Sequence, residues 1–200
     1  GPEYSVAATK SFITSLVAAA RLVAHWEKNQ ELIQAIQNLP EVLDLACQQD
    51  WSSAVETLVK SEKLMVVGRG LGLSIAAEAA LKLKETCAVQ AEAFSAAEIK
   101  HGPMALIEQQ YPLLIFAPRG PVQSSLVILA AEMRQRGAKV ILAAPPDITS
   151  RDLTLVNAGH PDLDPICAIQ SFYMLVEEVS RAKGFDPDHP RHLSKVTVTR

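Results

Sequence analysis

Two patterns of apolar positions divide this chain. In the first third, Phe12, Leu16, Ala19, Ala20, Val23 and Trp26 recur close to helical spacing and predict one long helix over Tyr4–Lys28. Shorter helices are predicted at Gln30–Leu39 and Val42–Gln48 with Pro40 dividing them, and another from a cap at Asp50 or Ser52 to about Ser61. From Lys63 onward, short and continuously apolar runs take over. They predict strands at Lys63–Gly68, Ala88–Phe94, Pro112–Ala117, Lys139–Ala144 and Leu153–Val156, alternating with helices at Leu73–Glu85, Val122–Arg136 and Ile166–Lys183. Strands that are apolar throughout belong in a parallel sheet covered on both faces. The expected fold is therefore α/β: a three-layer α/β/α domain with a five-stranded, parallel, flavodoxin-like sheet and right-handed crossovers. The expected organisation is a helical segment over 1–61, the α/β domain over 62–184 and a tail over 185–200.

Composition narrows the function. At 200 residues and 48% hydrophobic the chain can bury a full core. Its formal net charge of -3 offers no field for nucleic acid or an anionic membrane surface, and no apolar run is long enough to span a bilayer. Cys47, Cys87 and Cys167 are odd in number and lack metal-site spacing, so they read as buried thiols in a reducing cytoplasm, with neither disulfide nor zinc expected. The chain opens at Gly1-Pro2-Glu3 without a methionine, which suggests that it is a fragment of something longer.

Candidate chemistry concentrates in the stretch Lys82 to Pro103 and the helix leading into it. Ile75, Ala76, Ala79, Ala80 and Leu83 should pack, yet Glu78, Lys82 and Glu85 fall at i, i+4 and i+7 and share one face. The bland alternative is a solvated face of ion pairs, each contributing about 0.2–0.5 kcal/mol. Ligands of such sheets collect at the carboxyl ends of the strands, where the Gly68–Gly72 turn, GRGLG, could cradle a phosphate or simply turn tightly from strand to helix. Arg119, in a similar loop, reads as a surface residue. Between Ser95 and Pro103, Glu98, Lys100 and His101 lie within four residues and are stopped by Gly102-Pro103, so the imidazole is held in place. The tail from Gly184 to Arg200 is irregular, with Leu193, Val196 and Val198 as possible anchors that would deliver Lys195 to a site.

Four ordered motifs, GPEYSVAATKSF, ALKLKET with Glu85, EIKHGP with His101 sixteen residues on, and PRHLSKVTVT with Lys195, resemble the sugar isomerase (SIS) domain family. The likeness is to the second SIS domain in the isomerase half of glucosamine-6-phosphate synthase and of two-SIS glucosamine-6-phosphate deaminases. It implies an aldose–ketose isomerase site for amino-hexose 6-phosphates in a homodimer, with no cofactor. Glu85 then matches the general base that moves a proton between C1 and C2, a task suited to a carboxylate whose burial raises its pKa. His101 matches the ring-opening histidine, contributed across the dimer interface, and Lys195 a tail lysine able to form a Schiff base with a ketose carbonyl. Lys82 matches a lysine near the sugar oxygens, Glu78 a supporting acid, and Val6 a backbone contact.

Departures from the family set the alternatives. The phosphate-gripping loop of a preceding SIS domain is not found in this chain, so either the chain is the C-terminal half of a longer protein, the favoured reading, or it has lost the phosphate site; the glutamine-hydrolysing domain of the synthase is not found in it either. Three readings follow: an isomerase/deaminase, the isomerase part of glutamine–fructose-6-phosphate aminotransferase, or a non-catalytic sugar-phosphate sensor. A sensor needs only to bind, so the acid–base residues favour the first two.

Overall fold

The structure, a computed structural model, describes residues 2–195. Its centre is a parallel five-stranded sheet in the order β2-β1-β3-β4-β5, formed by β1 (Lys63–Gly68), β2 (Gln90–Ser95), β3 (Pro112–Phe116), β4 (Lys139–Ala144) and β5 (Leu153–Thr154). Each apolar run serves both faces of the sheet, because successive side chains point in opposite directions. Leu64, Val66, Leu114, Phe116, Ile141 and Ala143 face one core, while Met65, Val67, Leu113, Ile115, Val140 and Leu142 face the other.

The two faces are covered unequally. Over the first lie α4 (Leu71–Cys87) and α6 (Asp164–Ala182), packed together, with α1 (Lys10–Trp26), α2 (Gln30–Cys47) and α3 (Val55–Lys60) joined to the same core. Over the second lie α5 (Gln123–Gln135) and the short turns between β2 and β3. This is the expected three-layer α/β/α arrangement, preceded by helices.

Several element boundaries differ from expectation, and three of the differences have a clear physical cause. α1 starts at Lys10 and not at Tyr4, because the Glu3 carboxylate folds back to accept the backbone N–H groups of Thr9, Lys10 and Ser11. Those are unpaired donors at the positive end of a helix, and an anion there holds the preceding segment off the helical path. Pro40 does not divide α2. It gives up its own hydrogen bond, but Leu32, Ala35, Ile36, Leu39 and Ala46 are buried on one continuous face, and that packing keeps the helix whole. β2 starts at Gln90 because Ala88, at φ +53°, ends α4 in a left-handed turn closed by the Val89 N–H on the Leu83 carbonyl.

The GRGLG turn needs its glycines for space. A Cβ on Gly68 would lie 2.2 Å from the Gly72 carbonyl oxygen, and Gly70 sits at φ +57°. Tight strand-to-helix turning accounts for the motif.

Arg119 is not a plain surface residue. Its guanidinium makes a two-pronged ion pair with buried Asp164, at 2.6 and 2.8 Å, and Asp164 also accepts the Ala158 N–H. That pair ties the loop after β3 to the start of α6. Cys87 and Cys167 are buried and Cys47 is partly exposed; all three are free thiols.

Candidate active site

The row on α4 is where sequence and structure meet. Ile75, Ala76, Ala79, Ala80 and Leu83 are buried against the sheet, so the helix must turn Glu78, Lys82 and Glu85 to its flank. That flank is not solvated. The Lys82 side chain is 3% exposed and Glu78 8%, while Glu85 is 21% exposed. Lys82 Nζ stands 2.5 Å from Glu85 Oε2 and 3.4 Å from Glu78 Oε1, so one buried ammonium is shared by two carboxylates. The same Glu78 Oε1 accepts a hydrogen bond from the Tyr173 hydroxyl of α6 at 2.8 Å.

Desolvation sets the electrostatics. Burial pushes the Glu78 carboxyl above its ordinary range, with Lys82 and the Tyr173 hydroxyl pulling it back. Tyr173 is raised, first by its own burial and then by the neighbouring Glu78 charge.

The row is roofed by the opening segment. Val6 and Ala8, with Phe12 and Ser15 of α1, line a hollow of about 330 Å³ whose floor is Glu78, Lys82 and Glu85. Ser5, Ala7 and Thr9 line a second hollow of about 290 Å³ on the other side of the same strap, bounded by Lys82 and Tyr173. The strap is fastened at one end by Glu3, whose carboxyl is held at about 2; its partial burial opposes this, and hydrogen bonds from Ser11, Thr9 and Lys10 outweigh it.

The tail reaches the same place. Lys195 Nζ donates to the carbonyl of Ser5, next to Val6. Leu193 is exposed and does not anchor it, and Val196 and Val198 lie outside the described residues. Pro190 is buried, and Arg191 stacks 4.5 Å over the Phe185 ring. Between the tail and the end of α4, Glu85 also borders a groove of about 420 Å³ with His189 and His192.

His101 is not in this cluster. β2 ends at Ser95 beside Gly68, and the exposed imidazole follows in a short helical turn, Ile99–His101, at the carboxyl edge of the sheet. Fourteen residues of α4 separate Leu71, at that edge, from Glu85, which is about 21 Å along the helix axis. Within one chain the carboxyl-edge elements, His101 and GRGLG, thus lie at the opposite end of α4 from Glu85. Reading the sequence alone missed Glu3, Tyr173 and Asp164. An acid ahead of a helix start and a tyrosine on a buried helical face are the signals that mark the first two. Among the described residues no cluster of three or more His, Cys, Asp or Glu is placed to hold a metal ion.

Comparison with known proteins bears on this geometry. The SIS domain pattern matches residues 57–147, a span that contains Glu78, Lys82, Glu85 and His101 but not Val6 or Lys195. The chain belongs to the SIS domain family. This SIS chain is 34% identical to glutamine–fructose-6-phosphate aminotransferase (isomerizing) of Zymomonas mobilis over 99% of its own length and 36% of that protein. It is 33% identical to the Escherichia coli K12 protein of the same name, over 99% of its length and 35% of that protein. It therefore spans about a third of these relatives. A solved candidate phosphosugar isomerase from Silicibacter pomeroyi DSS-3 is 40% identical, with a TM-score of 0.86 over 94% of this chain and 57% of that one. A glucosamine-6-phosphate deaminase from Thermotoga maritima, 22% identical, shares the fold with a TM-score of 0.76, over 100% of this chain and 60% of that one. No helix among the described residues is long and apolar enough to cross a membrane.

Proposed function

We propose that this SIS chain carries the proton-shuttling site of an isomerase/deaminase for amino-hexose 6-phosphates, converting glucosamine 6-phosphate and water to fructose 6-phosphate and ammonia. One observation carries the reading: Glu78, Lys82 and Glu85 form a buried, shared-charge row under a hollow, and Glu85 is the member left open to it. Buried charge that is only partly compensated is costly, and a site for acid–base chemistry is a common reason to keep it.

In this reading His101 of a second copy opens the pyranose ring, since the chain's own His101 lies at the far end of the sheet. The C2 proton of the open-chain aldehyde passes to Glu85, which returns it to C1 through an enolamine. The imine left at C2 takes up water and releases ammonia. Lys195, delivered beside the strap, can form a Schiff base with the ketose carbonyl once it has lost its proton. Lys82 stabilises negative charge that develops on the sugar oxygens, Glu78 steadies Lys82, and Val6 presents backbone along the hollow.

A second reading, the isomerase part of an aminotransferase, is favoured by the names of the curated relatives. Ammonia release from glucosamine 6-phosphate by the full-length protein, with Glu85→Gln beside it, tests the proposal. Release abolished by the substitution supports the deaminase direction. Amino-sugar formation only on addition of glutamine and fructose 6-phosphate supports the aminotransferase part, and ligand binding unaffected by Glu85→Gln, with no turnover in either form, supports a sensor.

A further inference from the structure

We propose that Tyr173 is a positioning residue for the proton shuttle: its hydroxyl holds Glu78 so that Lys82 stays shared between two carboxylates instead of belonging to Glu85 alone. The proposal rests on the isomerase reading above. Its geometric basis is the chain of contacts Tyr173 Oη to Glu78 Oε1 at 2.8 Å, Glu78 Oε1 to Lys82 Nζ at 3.4 Å, and Lys82 Nζ to Glu85 Oε2 at 2.5 Å.

Both contacts to Glu78 fall on the same oxygen, and the one from Tyr173 is the shorter. The residues of α1 and the opening segment that line the hollow with Glu78, among them Phe12, Ser11, Ser15 and Val6, carry no charge. The groups that set its state are therefore Lys82 and Glu85 on α4 and Tyr173 on α6. Tyr173 itself does not border the hollow under Val6; it stands behind Glu78, against the neighbouring one. Its hydrogen bond into the row is the one to Glu78, and through that contact it acts on the reaction.

Loss of the hydroxyl leaves the buried carboxylate with Lys82, at 3.4 Å, as its remaining support. Burial already favours its neutral form, so the cheapest relief is to take a proton. A neutral Glu78 no longer draws on Lys82. The ammonium then serves Glu85 alone, its attraction there is opposed by no second anion, and Glu85 is bound more tightly to Lys82 and less free to meet the substrate. Substrate binding at the hollow surface is untouched. The signature is a fall in turnover without a matching change in KM.

The test is Tyr173→Phe in the full-length protein, which keeps the ring packed between α4 and α6. With glucosamine 6-phosphate in deuterated water, kcat for exchange at C1 and C2 should fall about tenfold, the scale of one hydrogen bond to a charged group, while KM stays within about twofold. Tyr173→Phe combined with Glu78→Gln should be no slower than Glu78→Gln alone. In infrared spectra at neutral pH, Tyr173→Phe should gain the carbonyl band of a protonated carboxyl, and the double variant should lack it. Unchanged kcat, a loss additive with Glu78→Gln, or no new band would overturn the proposal. A wild-type protein that exchanges no proton with any amino-hexose phosphate defeats the isomerase reading itself. The infrared band still decides the link between Tyr173 and Glu78, because it requires no turnover.

Discussion

The same residue types are used in two places with opposite consequences. On α4, Lys82 lies between Glu78 and Glu85 at 3% exposure. At the other end of the sheet Lys100, 50% exposed, lies 2.8 Å from Glu132 of α5, which also meets Arg136. The inner set has lost its water, so each charge depends on the others and the balance among them can be tuned by a single hydroxyl. The outer set keeps its water, and each member can be removed at little cost. Burial, not residue identity, separates a candidate site from a surface ornament. The outer set still matters through its neighbour, because it tethers the turn that presents His101.

The largest effect expected from this contrast is on turnover. Glu85→Gln should lower proton exchange at C1 and C2 by about 10²–10⁴-fold, the range associated with a lost general base, with the fold intact by circular dichroism. His101→Asn should be similarly poor. Mixing the two variants under conditions that exchange subunits should restore about one quarter of wild-type activity, since half of the pairs are mixed and each holds one complete site. Failure of the mixture to recover would mean that His101 serves no second copy, and the two ends of the sheet would then have separate roles.

The next largest effect is on stability. Lys82→Met leaves buried Glu78 and half-buried Glu85 without the cation they share and should cost about 3–5 kcal/mol in urea unfolding. Lys82→Met together with Glu78→Gln should recover part of that loss. A cost under 1 kcal/mol would show that water enters the row and would erase the distinction between the inner and outer sets.

How much of this was legible beforehand follows the range of the interactions involved. β1, β3 and β4 were readable because a strand buried on both faces is apolar at every position, and no distant partner is needed to recognise that. The spacing of Glu78, Lys82 and Glu85 on one helical face was readable for the same local reason. Their burial was not, since the roof is built by residues 5–15, far off in sequence. Pro40 misled because the local rule is outweighed by packing along the whole of α2. Arg119 misled because its partner, Asp164, is 45 residues away. The position of His101 relative to Glu85 depends on the direction in which α4 returns along the sheet, which becomes visible only once the strand order is known.

The roof offers a third and smaller test. Glu3→Gln should cost about 1 kcal/mol at neutral pH, in keeping with the loss of a capping carboxylate on a partly buried group. The sign of its pH dependence follows from the depressed carboxyl. The folded value is about 2 against 4.5 unperturbed, so the stabilisation is present above 4.5 and is lost as pH falls toward 2. The gap between wild type and Glu3→Gln should therefore close over that window. Glu78 works in the opposite sense. Its folded carboxyl is raised, so its contribution favours the fold below 4.5 and declines as pH rises through the folded value. Glu78→Gln should thus gain stability relative to wild type toward neutral pH, provided Lys82 keeps Glu85.

The smallest effect is expected at the outer set, where it is also the most discriminating. Lys100 holds the Glu132 carboxyl below its usual range, chiefly through their hydrogen bond, but both groups are in contact with water. Lys100→Met should therefore cost only about 0.2–1 kcal/mol, and the difference should vanish in high salt, where exposed charges are screened. Turnover is the sharper readout. The turn of His101 is held locally by the Glu98 carboxylate on the Ser95 N–H and at longer range by Lys100 on α5. Loosening the second tether should lower kcat/KM about two- to fivefold with stability almost unchanged, as a small misplacement of a ring-opening group does. If Lys100→Met destabilises the protein as much as Lys82→Met, the outer pair is not the solvated tether described above, and burial has ceased to be what separates the two regions.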